Sequence, residues 1–114
     1  MMRRGLAFAL ALLAVPAQAV EADPALYVQR CAMCHGAGGQ GTHEVPALTG
    51  AFIARWAGTP VADLQAYIAR VMPQHAPGTL SPDEAARITA YLLALNGQNP
   101  NQTRVEPLRP AAIP

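Results

Sequence analysis

Both cysteines of this 114-residue chain, Cys31 and Cys34, and one of its three histidines, His35, sit in the pentapeptide CAMCH. Four chemistries compete for such a cluster. A disulfide would close one tight ring, constrain little of the unfolded chain and leave His35 without a part. A thiol–redox pair expects a βαβ setting, and nothing in the sequence reads that way. Zinc would need a fourth ligand, His43 or His75. The adjacent Cys34 and His35 are awkward ligands for one tetrahedral ion, and zinc patterns usually separate their ligand pairs. Covalent haem uses all three residues. The two thiols add to vinyl groups as thioethers, and the histidine that follows reaches the iron. On a continuous helix, residues three apart lie about 300° around the axis, so the two sulfurs would share one side.

An iron held by His35 has a second axial position to fill. Beyond the first two residues the chain has only Met33 and Met72. Met33 lies inside the pentapeptide and cannot reach across the iron. Met72 precedes Pro73, which biases it out of helical geometry and frees its side chain in the loop RVMPQHAPGTL. Core filler is the plainer role for such a methionine. His75, three residues on, is the rival ligand and would lower the reduction potential relative to a thioether. His43 belongs to a glycine-rich loop and is expected to be solvated.

The elements that must carry these residues announce themselves by their starts. Asp23-Pro24, Thr59-Pro60 and Ser81-Pro82 each pair a capping side chain with a proline at the first helical position. Glu84, three residues after Ser81, completes a capping box. In the second segment Val61, Leu64, Ile68 and Val71 recur at helical spacing. Ala85, Ile88, Leu92 and Leu95 do so in the third, and Asn96-Gly97 stops it. A short helix is expected at 51–57. No stretch alternates long enough to argue a strand, so the class is all-α: three main helices and one short one. Residues 36–50 form a loop with five glycines, long enough to wrap around something. With one Trp, three Tyr and few Phe, the apolar core is thin, and a large apolar cofactor would fill its centre.

The two ends read differently. Arg3 and Arg4, an apolar run over 6–15 and Ala17-Gln18-Ala19 form the pattern of a secretory leader. The run is far below the roughly 20 residues of a membrane span. Cleavage is expected after Ala19, with an uncleaved or lipid-associated anchor as the alternative. Export would place the protein in the periplasm, where free thiols do not last. Removing the leader leaves six arginines, seven carboxylates and no lysine, a net charge of −1. That excludes a basic nucleic-acid patch and any strong electrostatic steering. The expected division is a leader at 1–19, a domain at 20–99 and a proline-rich tail at 100–114, extended or disordered.

The stretches ALYVQRCAMCHGAGGQGTHEVPALTG, VMPQHAPGTLS and AARITAYLLALNG, in that order, resemble the class I c-type cytochromes of the bacterial periplasm. The resemblance runs from about residue 23 to 97. It implies a small cytochrome c fold wrapped around one covalently attached haem c. Cys31 and Cys34 would be the thioether sites, His35 the proximal ligand and Met72 the distal one. Pro46 resembles the proline whose carbonyl orients the proximal imidazole, a simple turn proline being the alternative. Trp56 resembles a residue that bonds a haem propionate, an ordinary half-buried Trp being the alternative. Tyr27 and Tyr91 resemble the aromatic pair where the first and last helices cross. The family often has a glycine eight residues before the first cysteine, but Asp23 stands there. Either the first helix starts late or the crossing differs. The implied function is one-electron transfer without catalysis of its own. Partners would dock transiently at an apolar haem edge, with no standing membrane association. The alternative is a haem subunit held permanently in an exported dehydrogenase or oxidase complex.

Overall fold

The computed structural model describes residues 19–109, with Gly5, Ala7 and Ala9 before them. The leader expected at 1–19 lies outside the described residues apart from those three positions and Ala19, as do Pro110 and Pro114. Five helices follow one another: α1 (Pro24–Arg30), α2 (Ala32–His35), α3 (Ala51–Trp56), α4 (Val61–Val71) and α5 (Pro82–Leu95). Among the described residues there is no strand, only an isolated antiparallel bridge between Pro60 and Arg104. No helix among them is long and apolar enough to cross a membrane.

The expected first helix is broken. Cys31 leaves helical geometry at φ −129°, ψ −35°, so CAMCH spans a hinge and a separate turn, α2, rather than one continuous helix. The helix count rises to five for that reason. Ahead of the break, Asp23 caps α1, its Oδ1 accepting from the Leu26 amide at 2.9 Å. The other oxygen, Oδ2, pairs with Arg87 of α5. The crossing of first and last helices is closed at Asp23 both by this ion pair and by its backbone amide, which donates to the Arg87 carbonyl at 3.4 Å, so the backbones meet here although no glycine stands at the position. Arg30 adds a second tie, reaching Glu84 at 3.4 Å. Tyr27 is fully buried beside Tyr91, ring centroids 4.9 Å apart.

α5 is the spine, packing on both α1 and α4. Its capping box is complete: Ser81 Oγ accepts from the Glu84 amide, and Glu84 Oε1 accepts from the Ser81 amide, each at 3.0 Å. Losing such a cap costs about 1 kcal/mol. Ala85, Ile88 and Leu92 are buried on the face the periodicity assigned, with Leu93 beside them. At the far end Asn96 does more than stop the helix. Its Nδ2 donates to the Leu48 carbonyl at 3.0 Å and its Oδ1 accepts from the Gly50 amide at 3.2 Å, tying α5 to the glycine loop.

α4 starts one residue later than Thr59-Pro60 suggests. Pro60 takes the cap position, and no side chain caps the helix. Thr59 instead donates its hydroxyl to the Trp56 carbonyl. A backbone group from the far end of the chain fills the gap, since the Val61 amide donates to the Thr103 carbonyl at 2.8 Å. The segment expected to be a tail from residue 100 onward is thus part of the packed domain up to Glu106. Val105 is 1% exposed in the same apolar cluster as Leu64 and Leu93. A buried valine contributes roughly 1.5–3 kcal/mol, enough to pin a short extended segment.

The bond from the Ser81 amide, helped by Arg30, holds the Glu84 carboxyl below its ordinary 4.5. A carboxyl depressed in the folded state adds stability above its unfolded pKa and loses it as pH falls through the folded value. Glu84→Gln keeps the box but not the charge. It should lower stability at neutral pH, and the difference from wild type should shrink as pH falls below 4.5, as read by urea unfolding across that range.

Candidate functional site

α2, the glycine loop, α4 and α5 enclose a largely apolar cavity of about 370 Å³. Cys31, Cys34 and His35 reach it from the broken first helix. Val45, Pro46 and Leu48 come from the glycine loop, and Phe52 from α3. Tyr67, Ile68 and Met72 line it from α4, and Ile88 and Leu92 from α5.

His35 is 8% exposed, and its Nδ1 lies 2.8 Å from the Pro46 carbonyl oxygen. A carbonyl only accepts, so Nδ1 carries the proton and donates. Nε2 is thereby left as the ring nitrogen that can bind a metal. The backbone arranges this. Gly36 and Gly41 turn the chain with φ of 86° and 70°. The Gly41 amide donates back to the His35 carbonyl at 2.7 Å, and the Leu48 amide to the Gly39 carbonyl at 2.7 Å. Tyr27 holds the first turn of the loop, its hydroxyl donating to the Gly36 carbonyl at 2.7 Å. Burial is the main cause that pushes this phenol up to about 12.

The thiols differ. Cys34 is exposed, whereas Cys31 is half-buried. Burial pushes the Cys31 thiol up to about 11, against the pull of the neighbouring Arg30. Neither cysteine is in a disulfide. Among the described residues no three or more His, Cys, Asp or Glu side chains cluster so as to hold a metal ion, so neither His43 nor His75 completes a zinc site.

Met72 ends α4 in extended geometry, φ −115°, ψ 150°, and its bond to Pro73 is cis. It lines the same cavity as His35. So does His75, which is exposed at the rim, whereas His43 is exposed and outside the cavity wall. Trp56 is also outside that wall. It packs on Tyr67, with ring centroids 5.3 Å apart. The structure therefore brings Cys31, Cys34, His35, Pro46 and Met72 to one cavity, with Trp56 packed on Tyr67 and absent from the lining. Phe52, Ile68, Ile88 and Leu92 also line the cavity, a role that helical spacing alone does not assign. The local signal was that Ile68 stands one turn before Met72, whose amide donates to the Ile68 carbonyl at 3.0 Å.

A largely apolar, metal-bearing group suits this cavity: most of the wall is hydrocarbon, and beside Arg30, Glu44, Gln74 and His75 it offers the His35 imidazole, a thioether and two thiols. Residues 18–92 match the family model described as cytochrome c oxidase, cbb3-type, subunit III, a class I c-type cytochrome domain. The chain belongs to this family. Its cofactor is covalently bound haem c with iron. The fold is also similar to that of a chain in the crystal structure of the sulfane dehydrogenase SoxCD from Paracoccus pantotrophus. Identity is 31% and the TM-score 0.54, over 65% of this cytochrome and 41% of that chain. The cytochrome thus spans less than half of the length of the SoxCD chain. No curated protein matches it.

A Cβ added at Gly41 would lie 2.5 Å from the Val45 carbonyl oxygen, in a conformation that disfavours any side chain. Gly41→Ala should therefore destabilise the holoprotein by about 1–3 kcal/mol and loosen the Pro46 carbonyl from His35. Gly38→Ala, where a Cβ meets only the end of the Gln40 side chain at 3.2 Å, should cost much less in the same thermal unfolding measurement.

Proposed function

We propose that the protein is a periplasmic one-electron carrier whose haem c is attached through Cys31 and Cys34 and ligated by His35 and Met72. The observation that carries this reading is the shared cavity wall of His35, its Nδ1 committed to Pro46, and Met72. Bound haem supplies an Fe(III)/Fe(II) couple.

Each residue has a part in that reading. The two sulfurs fix the group on the α1–α2 hinge. The Pro46 carbonyl orients the His35 ring, makes it a better donor and keeps one tautomer. The Met72 thioether is a soft, neutral donor that favours the reduced state and raises the potential. Leu48, Phe52, Ile68, Ile88 and Leu92 keep water from the metal, so little solvent has to reorient when the charge changes. Met33, between the two cysteines, is 84% exposed and offers apolar contact beside the attachment point. The leader pattern at 1–19 supports export.

The likeness to SoxCD favours a second reading, a haem domain held within an exported dehydrogenase complex. Size-exclusion of the protein from its source separates the two. A carrier elutes alone, whereas a subunit elutes with its complex.

The oxidised holoprotein should show the sulfur-to-iron charge-transfer band at the red end of its spectrum. Met72→Ala should abolish the band and lower the reduction potential by more than about 0.1 V, within the roughly 0.8 V that axial ligation spans. A wild-type protein without the band would rule out Met72 as ligand. Since the chain carries no lysine, the electron-transfer rate with its partner should change little with ionic strength, as stopped-flow mixing at low and high salt would show. A steep fall would point to charged docking instead.

A further inference from the structure

Residues 98–106 lie beyond the end of the family match at residue 92, and the electron-carrier reading gives them no task. They run from the end of α5 to the corner between α3 and α4 and bind it mostly by backbone. The Gly58 amide donates to the Val105 carbonyl at 2.8 Å, the Val105 amide to the Thr59 carbonyl at 2.9 Å, and the Val61 amide to the Thr103 carbonyl at 2.8 Å. Arg104 adds a bond to the Gly58 carbonyl at 2.8 Å. Val105 is driven into the core. The segment also braces itself. The Gln98 amide group donates to the Glu106 carbonyl at 2.7 Å and accepts from the Glu106 amide at 3.0 Å, pairing the two ends of the loop as strand neighbours would pair. The backbone of Gln98 is in turn tied to the Leu93 carbonyl of α5 at 2.9 Å.

The corner held in this way carries two walls of the cavity. Phe52 lines it from α3, and Tyr67, Ile68 and Met72 line it from α4. α4 has no side-chain cap of its own, and the Thr103 carbonyl engages the amide of its first residue. Orphan amides at a helix start otherwise turn to water, and the first turn frays. A helix fixed only along its middle, by Leu64 and Ile68 against α5, can pivot about that contact. Fixing its first turn as well removes the pivot and sets where its last residue stands.

We propose that residues 98–106 are a strap that positions α4, with Val105 and Gln98 as positioning residues for the Met72 side of the haem cavity. The link to iron rests on the His35/Met72 reading, whereas the link to α4 does not. Two measurements on the holoprotein keep these apart. Val105→Ala and, should that variant fold poorly, the milder Gln98→Ala are compared with wild type. The strap requires amide hydrogen exchange over residues 65–72 to quicken at least tenfold while the amides of α1 and α5 keep their wild-type rates. It also requires the sulfur-to-iron charge-transfer band to weaken and added imidazole to bind the iron more tightly. Unchanged exchange in α4, or equal acceleration throughout α1, α4 and α5, overturns the strap, because the segment would then be inert or merely add global stability. Should wild type lack the band, the Met72 ligand falls, and the exchange pattern alone decides the strap.

Discussion

One hydrogen bond, from His35 Nδ1 to the Pro46 carbonyl, organises the centre of this protein. It joins the turn that ends the CAMCH motif to a loop eleven residues further on. Making it requires the chain to reverse tightly, hence left-handed backbone at Gly36 and Gly41 and the anchoring of the loop by Tyr27 and Asn96. The bond also sets the chemistry. With Nδ1 occupied as a donor, the ring can offer only Nε2 to a metal, and the imidazole cannot rotate away.

Around that bond the protein builds a shell rather than a solid core. Tyr27, Leu64, Ile88, Leu92 and Leu93 form a continuous cluster between α1, α4 and α5, yet several of their neighbours face the cavity instead of each other. α5 serves both sides. One part of its surface meets Tyr27 and Leu64, and Ile88 and Leu92 line the cavity. The ion pairs from Asp23 and Arg30 to α5 are half-exposed, and such pairs contribute little each, on the order of 0–1 kcal/mol. They join α1 to α5 at a crossing where the Asp23 amide already meets the Arg87 carbonyl at 3.4 Å.

The helices were legible in the sequence because their signals are local. A capping side chain, a proline and an apolar period all act within a few residues, and the elements opened by Asp23 and Ser81 begin where those signals stand. Thr59 shows the limit. It has the right residue type for a cap, but its hydroxyl turns to the Trp56 carbonyl, and a distant backbone carbonyl, at Thr103, takes its place. Val105 teaches the same lesson. In a proline-rich, polar stretch nothing local marks it as core, and only the arrival of the α3–α4 corner makes its burial favourable. Trp56 packs on Tyr67, itself a lining residue, a contact between α3 and α4 that neither helix's own pattern announces.

The sequence by itself determined which atoms are available for chemistry: two thiols and an imidazole at fixed spacing, one thioether freed by a following proline, and helices of defined start and period. Those are covalent and short-range facts, and packing altered only one of them, the start expected at Thr59. Tertiary structure alone decided the break at Cys31, the meeting of His35 with the Pro46 carbonyl, the packing of Trp56 on Tyr67, and the docking of residues 98–106 as part of the domain. Each of these depends on groups far apart in the chain. Their contacts become favourable only once α5 has gathered α1 and α4 and apolar surface is buried between them.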